Sequence, residues 1–271
     1  MRLATIRQDG STRAARIDGD TVVPLDAPDA VTALTGGSTE PTNGRQSMAL
    51  SDVDLAPVVP QPRKIICLGL NYESHILEMG HDLPDHPTCF AKYAIALIGA
   101  RDDIVLPKVS SKVDWEAELA VVIGRPARHV TEDEALDHVA GYTVCNDISA
   151  RDYQRRTSQW LQGKTFERST PLGPVLVTGD EIDHGSDLAI GCEVDGDVRQ
   201  SARTSELVFT PAKVISYLSA IMTLEPGDVI STGTTGGVGA GRDPQVFLEP
   251  GQVVRTYVEG IGELVNTCVA E

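Results

Sequence analysis

No stretch of this 271-residue chain holds the eighteen or so consecutive apolar residues from which a membrane-spanning helix is recognised. Its first ten residues carry Arg2, Arg7 and Asp9 without an apolar block, so a secretory signal is not expected. Cysteine is scarce and scattered. Cys67, Cys89, Cys145, Cys192 and Cys268 form no CxxC pair and no cluster with histidine, which speaks against a disulfide scaffold or zinc finger and predicts a reducing, cytoplasmic setting. Basic charge is also short, with Lys+Arg 23 against Asp+Glu 39 and a net charge of -16. A chain so acidic offers no attractive long-range field to nucleic acid or an anionic membrane, and neither is expected as a partner. A small anionic substrate would need a local cation or arginine to hold it. Nucleotide signatures are missing too: the glycine-rich run Thr232 to Gly239 lacks both Gly-Lys-Ser/Thr and GxGxxG, although such a loop can offer N–H groups to an anion.

What is present is a globular composition, 41% hydrophobic, in a chain long enough for one main domain and a small second one. Strand-like runs separated by Asp9-Gly10 and Asp18-Gly19 read as hairpins and set a small N-terminal β-containing domain over 1–58; Pro60-Gln61-Pro62 then leads into a catalytic domain over 59–271. That larger part shows many short strands, few helices and no βαβ rhythm, which predicts an α+β, β-rich fold. Helices are expected over about 132–139, behind the Thr131/Glu134 capping pair, over 150–161 behind Ser149, and over 211–222 with Pro211 in the first turn.

Two places carry chemistry. In the run Trp115 to Ile123 the period-2 alternation puts Glu116 and Glu118 together on one face, their backbones about 6.6 Å apart at a rise of roughly 3.3 Å per residue. Either the strand opens in solvent, or a cation or basic partner compensates two carboxylates in a dry site. His75 and Glu78, three residues apart, share a helical face, and a carboxylate-held imidazole suits a general base; an exposed amphipathic turn is the alternative. The segment from Tyr72 to Pro87 is polar and broken by Gly80, Pro84 and Pro87, which predicts a mobile lid, with His81 and His86 as solvated loop residues. Asp147, ending a strand, and Arg151, one turn into the next element, can share a cleft.

The chain resembles the fumarylacetoacetate hydrolase family over about 60–268. The resemblance is carried by Gly69-Leu70-Asn71-Tyr72 with His75 and Glu78, by Glu116-Ala117-Glu118-Leu119, by Asn146-Asp147 with Ala150-Arg151-Asp152, by Lys164-Thr165-Phe166, by Pro171 to Pro174, and by Thr232-Gly233-Thr234 with Gly237-Val238-Gly239. It implies the family's mixed β-sandwich roll, commonly a homodimer, and Mg2+ or Mn2+ on Glu116, Glu118 and Asp147. It also implies His75, Glu78 and Lys164 as catalytic residues, and Tyr72, Arg151, Gln154 and Thr234 as contacts to a small anionic 2-oxo acid. The sequence is most similar in outline to short bacterial members that hydrolyse acylpyruvates or fumarylpyruvate in aromatic catabolism. Cleavage of the carbon-carbon bond of a 2,4-dioxo acid is therefore the expected activity. Isomerisation of 2-hydroxy-diene-dioates or decarboxylation of oxaloacetate-like acids is the alternative. Lys164-Thr165-Phe166-Glu167 and Gly233-Thr234-Thr235 depart from the family's common Lys-Ser-Phe-Asp and Gly-Thr-Pro, so substrate identity does not carry over.

Overall fold

The computed structural model describes residues 1–40, 46–78, 80 and 82–271. Its frame is a 12-stranded sheet with the strand Ala117–Ile123 near the centre, between Val139–Asn146 and Val229–Thr234. All seven residues of that central strand are buried. The alternation explains how: Leu119, Val121 and Ile123 enter one hydrophobic core with Ile190, Val254 and Leu264 of a second, five-stranded sheet. Ala120 and Val122 enter another core with Leu25, Val31 and Leu172 on the opposite face. A strand covered on both faces reads as a nearly continuous apolar run, and this one does. The architecture is the expected β-rich α+β fold, two sheets packed face to face with helices at the margins.

The N-terminal strands Arg2–Gln8, Ser11–Asp18 and Thr21–Pro24 form a meander that continues the large sheet, Arg2–Gln8 pairing with Thr170–Val177. Among described residues no helix is long and apolar enough to cross a membrane. The helix Pro211–Ile221 starts as its sequence predicts, with Thr210 as cap and Pro211 in the first turn. The helix expected over 150–161 is instead two short ones, Arg151–Gln154 and Leu161–Lys164. Two local causes are visible. The Thr157 hydroxyl accepts from Gln159 N–H (3.2 Å) and donates to Gln159 C=O (3.1 Å), taking backbone groups that a helix would need. Ser149 does not cap; it pairs with Asp114 in a two-residue bridge and its hydroxyl donates to Asp147 C=O.

Candidate active site

Strand register assembles the site. Ala117 lies opposite Asn146 and Glu118 opposite Cys145, so Glu116 and Asp147, one step beyond on each strand, face each other at the strand ends. Asp147 N–H donates to Glu116 C=O, and Glu116 N–H donates to the Asn146 side chain, locking that geometry. As a result ligand oxygens of Glu116, Glu118 and Asp147 all lie within 4.8 Å of one another, and all three residues are buried. The solvated reading of this strand is thereby ruled out.

Buried carboxylates need compensation, and three cations supply it. Lys164 Nζ donates to Glu116 (2.6 Å) and Asp147 (2.7 Å); Lys92 Nζ donates to the other oxygen of Asp147 (2.6 Å) and to Ile148 C=O (3.1 Å). Arg151 reaches Glu116 with Nη1 (2.6 Å) and Asp114 with Nε (2.7 Å). Burial works to raise the Glu116 carboxyl, but Lys164 and Arg151 overcome it and hold its pKa at about 2. Glu118 has no such partner. Burial, followed by the charges of Asp147 and Glu116, pushes its carboxyl well above the usual range. One of its oxygens accepts from Ser231 Oγ and Gly233 N–H, while Oε1 is buried with no hydrogen-bond partner. With Asp114 included, four carboxylates stand against three cations. That excess of one negative charge, an unpartnered carboxylate oxygen and an all-oxygen donor set fit a hard divalent cation.

The site opens into a cavity of about 240 Å³, whose lining includes His75, Glu116, Arg151, Gln154, Lys164 and Thr234. Six of the ten site residues singled out in the sequence therefore line its wall. His75, only 8% exposed, comes from the short helix Glu73–Glu78, which is anchored by the buried Ile76. Its Nδ1 lies 3.3 Å from Glu78 Oε2, and its Nε2 has no hydrogen-bond partner among described residues. Burial lowers the imidazole pKa against the opposing pull of Glu116 and Glu78, so His75 is neutral near pH 7. The Arg151 side chain is buried, and its Nη2 has no partner. Thr234 Oγ1 is already engaged, donating to Ala117 C=O (2.9 Å) and accepting from Gln200 (2.8 Å). Tyr72 is fully buried behind this wall rather than on it, with its hydroxyl unpartnered and its pKa raised by burial and by the charges of Glu118 and Glu206. His86 is exposed and stacks on Tyr217, while His81, like Met79 in the segment read as a lid, lies outside the described residues.

The glycine-rich loop does bind anions, but they are the chain's own. Gly237 N–H donates to Glu78, and the N–H groups of Gly239 and Ala240 donate to Asp114. The loop thus orients both the carboxylate behind His75 and the one behind Arg151. Sequence reasoning passed over Lys92 and the role of Asp114. A signal for Lys92 existed: it falls on the same face as Phe90 in the strand Thr88–Lys92, and Phe90 lines the cavity. Lys92→Met should lower the stability of the chelator-treated protein by about 2 kcal/mol, since it leaves one oxygen of the buried Asp147 without its partner while Lys164 keeps the other. Denaturant unfolding measures this loss, and added Mg2+ should recover part of it.

Residues 64–269 match the family model described as "Fumarylacetoacetate (FAA) hydrolase C-terminal". A Xenopus laevis protein named "Oxaloacetate tautomerase fahd2, mitochondrial" is 45% identical over 224 residues, 82% of this chain and 70% of the relative. Two solved structures align over the whole chain. One is a fumarylacetoacetate hydrolase from Exiguobacterium antarcticum (33% identity, TM-score 0.90, 100% of both chains). The other is a 5-carboxymethyl-2-hydroxymuconate delta-isomerase from Mycobacterium smegmatis (36%, TM-score 0.83, 100% of both chains). Two expectations are corrected by these relatives. Relatives at 44–45% identity are named as oxaloacetate tautomerases of eukaryotes, not as the expected bacterial acylpyruvate or fumarylpyruvate hydrolases. The cytoplasmic placement falls as well: the same relatives are named as mitochondrial, and scattered free cysteines are equally compatible with any reducing compartment.

Proposed function

The chain belongs to the fumarylacetoacetate hydrolase family, and on that premise we propose that it is a divalent-metal-dependent tautomerase of short 2-oxo acids of the oxaloacetate type. The observation that carries the proposal is a neutral, carboxylate-held histidine on the wall of a cavity that is also lined by Glu116, one of three convergent buried carboxylates, and by Arg151, whose Nη2 has no partner. The names of the relatives support proton transfer over hydrolysis as the reaction.

Mg2+ or Mn2+, held by Glu116, Glu118 and Asp147, would polarise the substrate's 2-oxo oxygen and acidify the neighbouring C3–H. The remaining work belongs to side chains. Arg151 Nη2 is the donor available to the substrate carboxylate, and its other nitrogens are fixed by Asp114 and Glu116, so it is oriented before substrate arrives. Nε2 of His75 takes the C3 proton. The C3–H electron pair becomes the C2–C3 double bond, the carbonyl pair moves to the 2-oxygen, and the proton held by the His75 imidazolium passes to that oxygen, giving the enol and neutral His75. The reverse passage returns the proton to C3. Glu78 supports the imidazolium formed on the way, and Lys164 holds positive charge beside the oxygen that gains negative charge. Phe90, Trp160 and Leu70 line the same cavity and limit water.

Hydrolytic cleavage of 2,4-dioxo acids is the second reading, supported by the Exiguobacterium structure. The two separate in one assay series. With Mg2+ or Mn2+ the protein should speed the decay of the enol absorbance of oxaloacetate, a chelator should abolish the effect, and acetylpyruvate should release pyruvate far more slowly. Pyruvate release from acetylpyruvate outpacing oxaloacetate tautomerisation would reverse the assignment.

A further inference from the structure

We propose that Arg155 selects a 2-oxo acid with a second carboxylate over one without. The proposal rests on the reading of the site as a 2-oxo acid pocket and adds the class of substrate that fits it. Arg151 and Arg155 are one helical turn apart, roughly 6 Å of rise, and Arg155 N–H donates to Arg151 C=O (3.1 Å). Both line the cavity, yet their situations differ. Arg151 is buried at the carboxylate cluster and tied to Asp114 and Glu116. Arg155 is exposed at the rim, and its guanidinium has no ion-pair or hydrogen-bond partner among described residues. In a chain with 39 acidic and 23 basic residues, carboxylates are plentiful, and the arginines at 2, 7, 16, 199, 203 and 255 each hold one. The adjacent Arg156 is occupied differently, lying 3.4 Å from the centre of the Tyr153 ring. The same cavity also has apolar lining, from Trp160, Leu70 and Val238.

This combination of surfaces matches one kind of molecule. A carboxylate and 2-oxo group bind at the cluster, a short carbon chain runs along the apolar wall, and a second carboxylate meets the planar fork of Arg155.

Oxaloacetate and 2-oxobutanoate test this directly, since a methyl group in the second stands where the first has its distal carboxylate. Dissociation constants for both are measured by calorimetry with Mg2+ on the wild type, Arg155→Gln and Arg155→Lys. Arg155 is exposed and its guanidinium has no hydrogen-bond or ion-pair partner among described residues, so both variants should fold normally. The wild type should prefer oxaloacetate by roughly tenfold or more, the usual worth of a charge-assisted hydrogen bond. Arg155→Gln should remove that preference by weakening oxaloacetate alone, and Arg155→Lys should restore part of it. An unchanged ratio in Arg155→Gln, equal weakening of both ligands, or a wild type without preference would overturn the proposal. Because binding is read, a wild type that prefers oxaloacetate but never tautomerises it removes the proposed function and leaves the role of Arg155 standing.

Discussion

Glu118→Gln is expected to yield a folded protein that has lost metal-dependent turnover, yet melts at a higher temperature than the wild type when both are metal-free. The carboxylate oxygen that accepts from Ser231 and Gly233 is kept as the amide oxygen, so the backbone around Gly233 retains its partner. What disappears is a buried negative charge beside Asp147 and Glu116. The sign follows from linkage. Burial and those two neighbours raise the folded-state pKa of Glu118 above its ordinary 4.5, so the native state binds a proton more tightly than the unfolded chain. Its contribution to stability is therefore fully present below pH 4.5 and is lost as pH rises through the folded value. Glutamine has no such slope. Melting of both proteins in chelator from pH 5 to 8 should give curves that diverge with rising pH, the variant staying higher. Mg2+ then inverts the order: it stabilises the wild type by binding the folded state, and the variant much less. Its affinity for Mg2+ should fall by more than the ~10–100-fold that losing an outer hydrogen-bond partner of a metal ligand costs. A variant that binds Mg2+ as tightly as the wild type, or that melts lower throughout in chelator, would show that Glu118 is not a ligand.

The central strand was legible because alternation is a local property. Leu119, Val121 and Ile123 against Ala120 and Val122 already describe a strand with a core on each side, and the structure supplies both cores. The same periodicity put Glu116 and Glu118 together, but it could not tell a solvated strand end from a buried one. That distinction depends on Lys92, Arg151 and Lys164, which arrive from three other segments. Long-range ion pairs leave little trace in local pattern, and for Lys92 the trace was no more than its shared strand face with Phe90. The broken helix after Ala150 is a different case. Gly163 packs so close to Ala150 and Gln154 that an added Cβ would lie 2.6 Å from the Ala150 oxygen, and no single straight helix brings those residues together. Reaction type was the least legible of all. The motifs that carried the family resemblance left cleavage and isomerisation both open, and the names of the relatives moved the reading toward proton transfer.

His75→Ala should lower tautomerase turnover by about 10²–10⁴-fold, the usual contribution of a placed acid-base group, while changing Mg2+ affinity little. The two effects separate because His75 is not among the clustered carboxylates: it faces the cavity from the helix Glu73–Glu78, held through Glu78 to the loop at Gly237. A base must be unprotonated to act, so the pH dependence gives an independent check. Burial lowers the imidazole pKa below its ordinary 6.5, and kcat/KM should therefore rise with pH and level off at a lower pH than an unperturbed imidazole would give. Glu78→Gln removes one of the two charges that oppose this lowering. It should shift the acid limb further down in pH and, by weakening support for the imidazolium, reduce turnover less than the loss of His75 itself. A purely structural role for the helix would lower activity in both variants without moving the limb. Turnover in His75→Ala within a few-fold of wild type, with the limb unmoved, would assign the proton transfer to another group; the position of that limb would then point to it, since Lys164 is held protonated by Asp147 and Glu116 far above neutral pH.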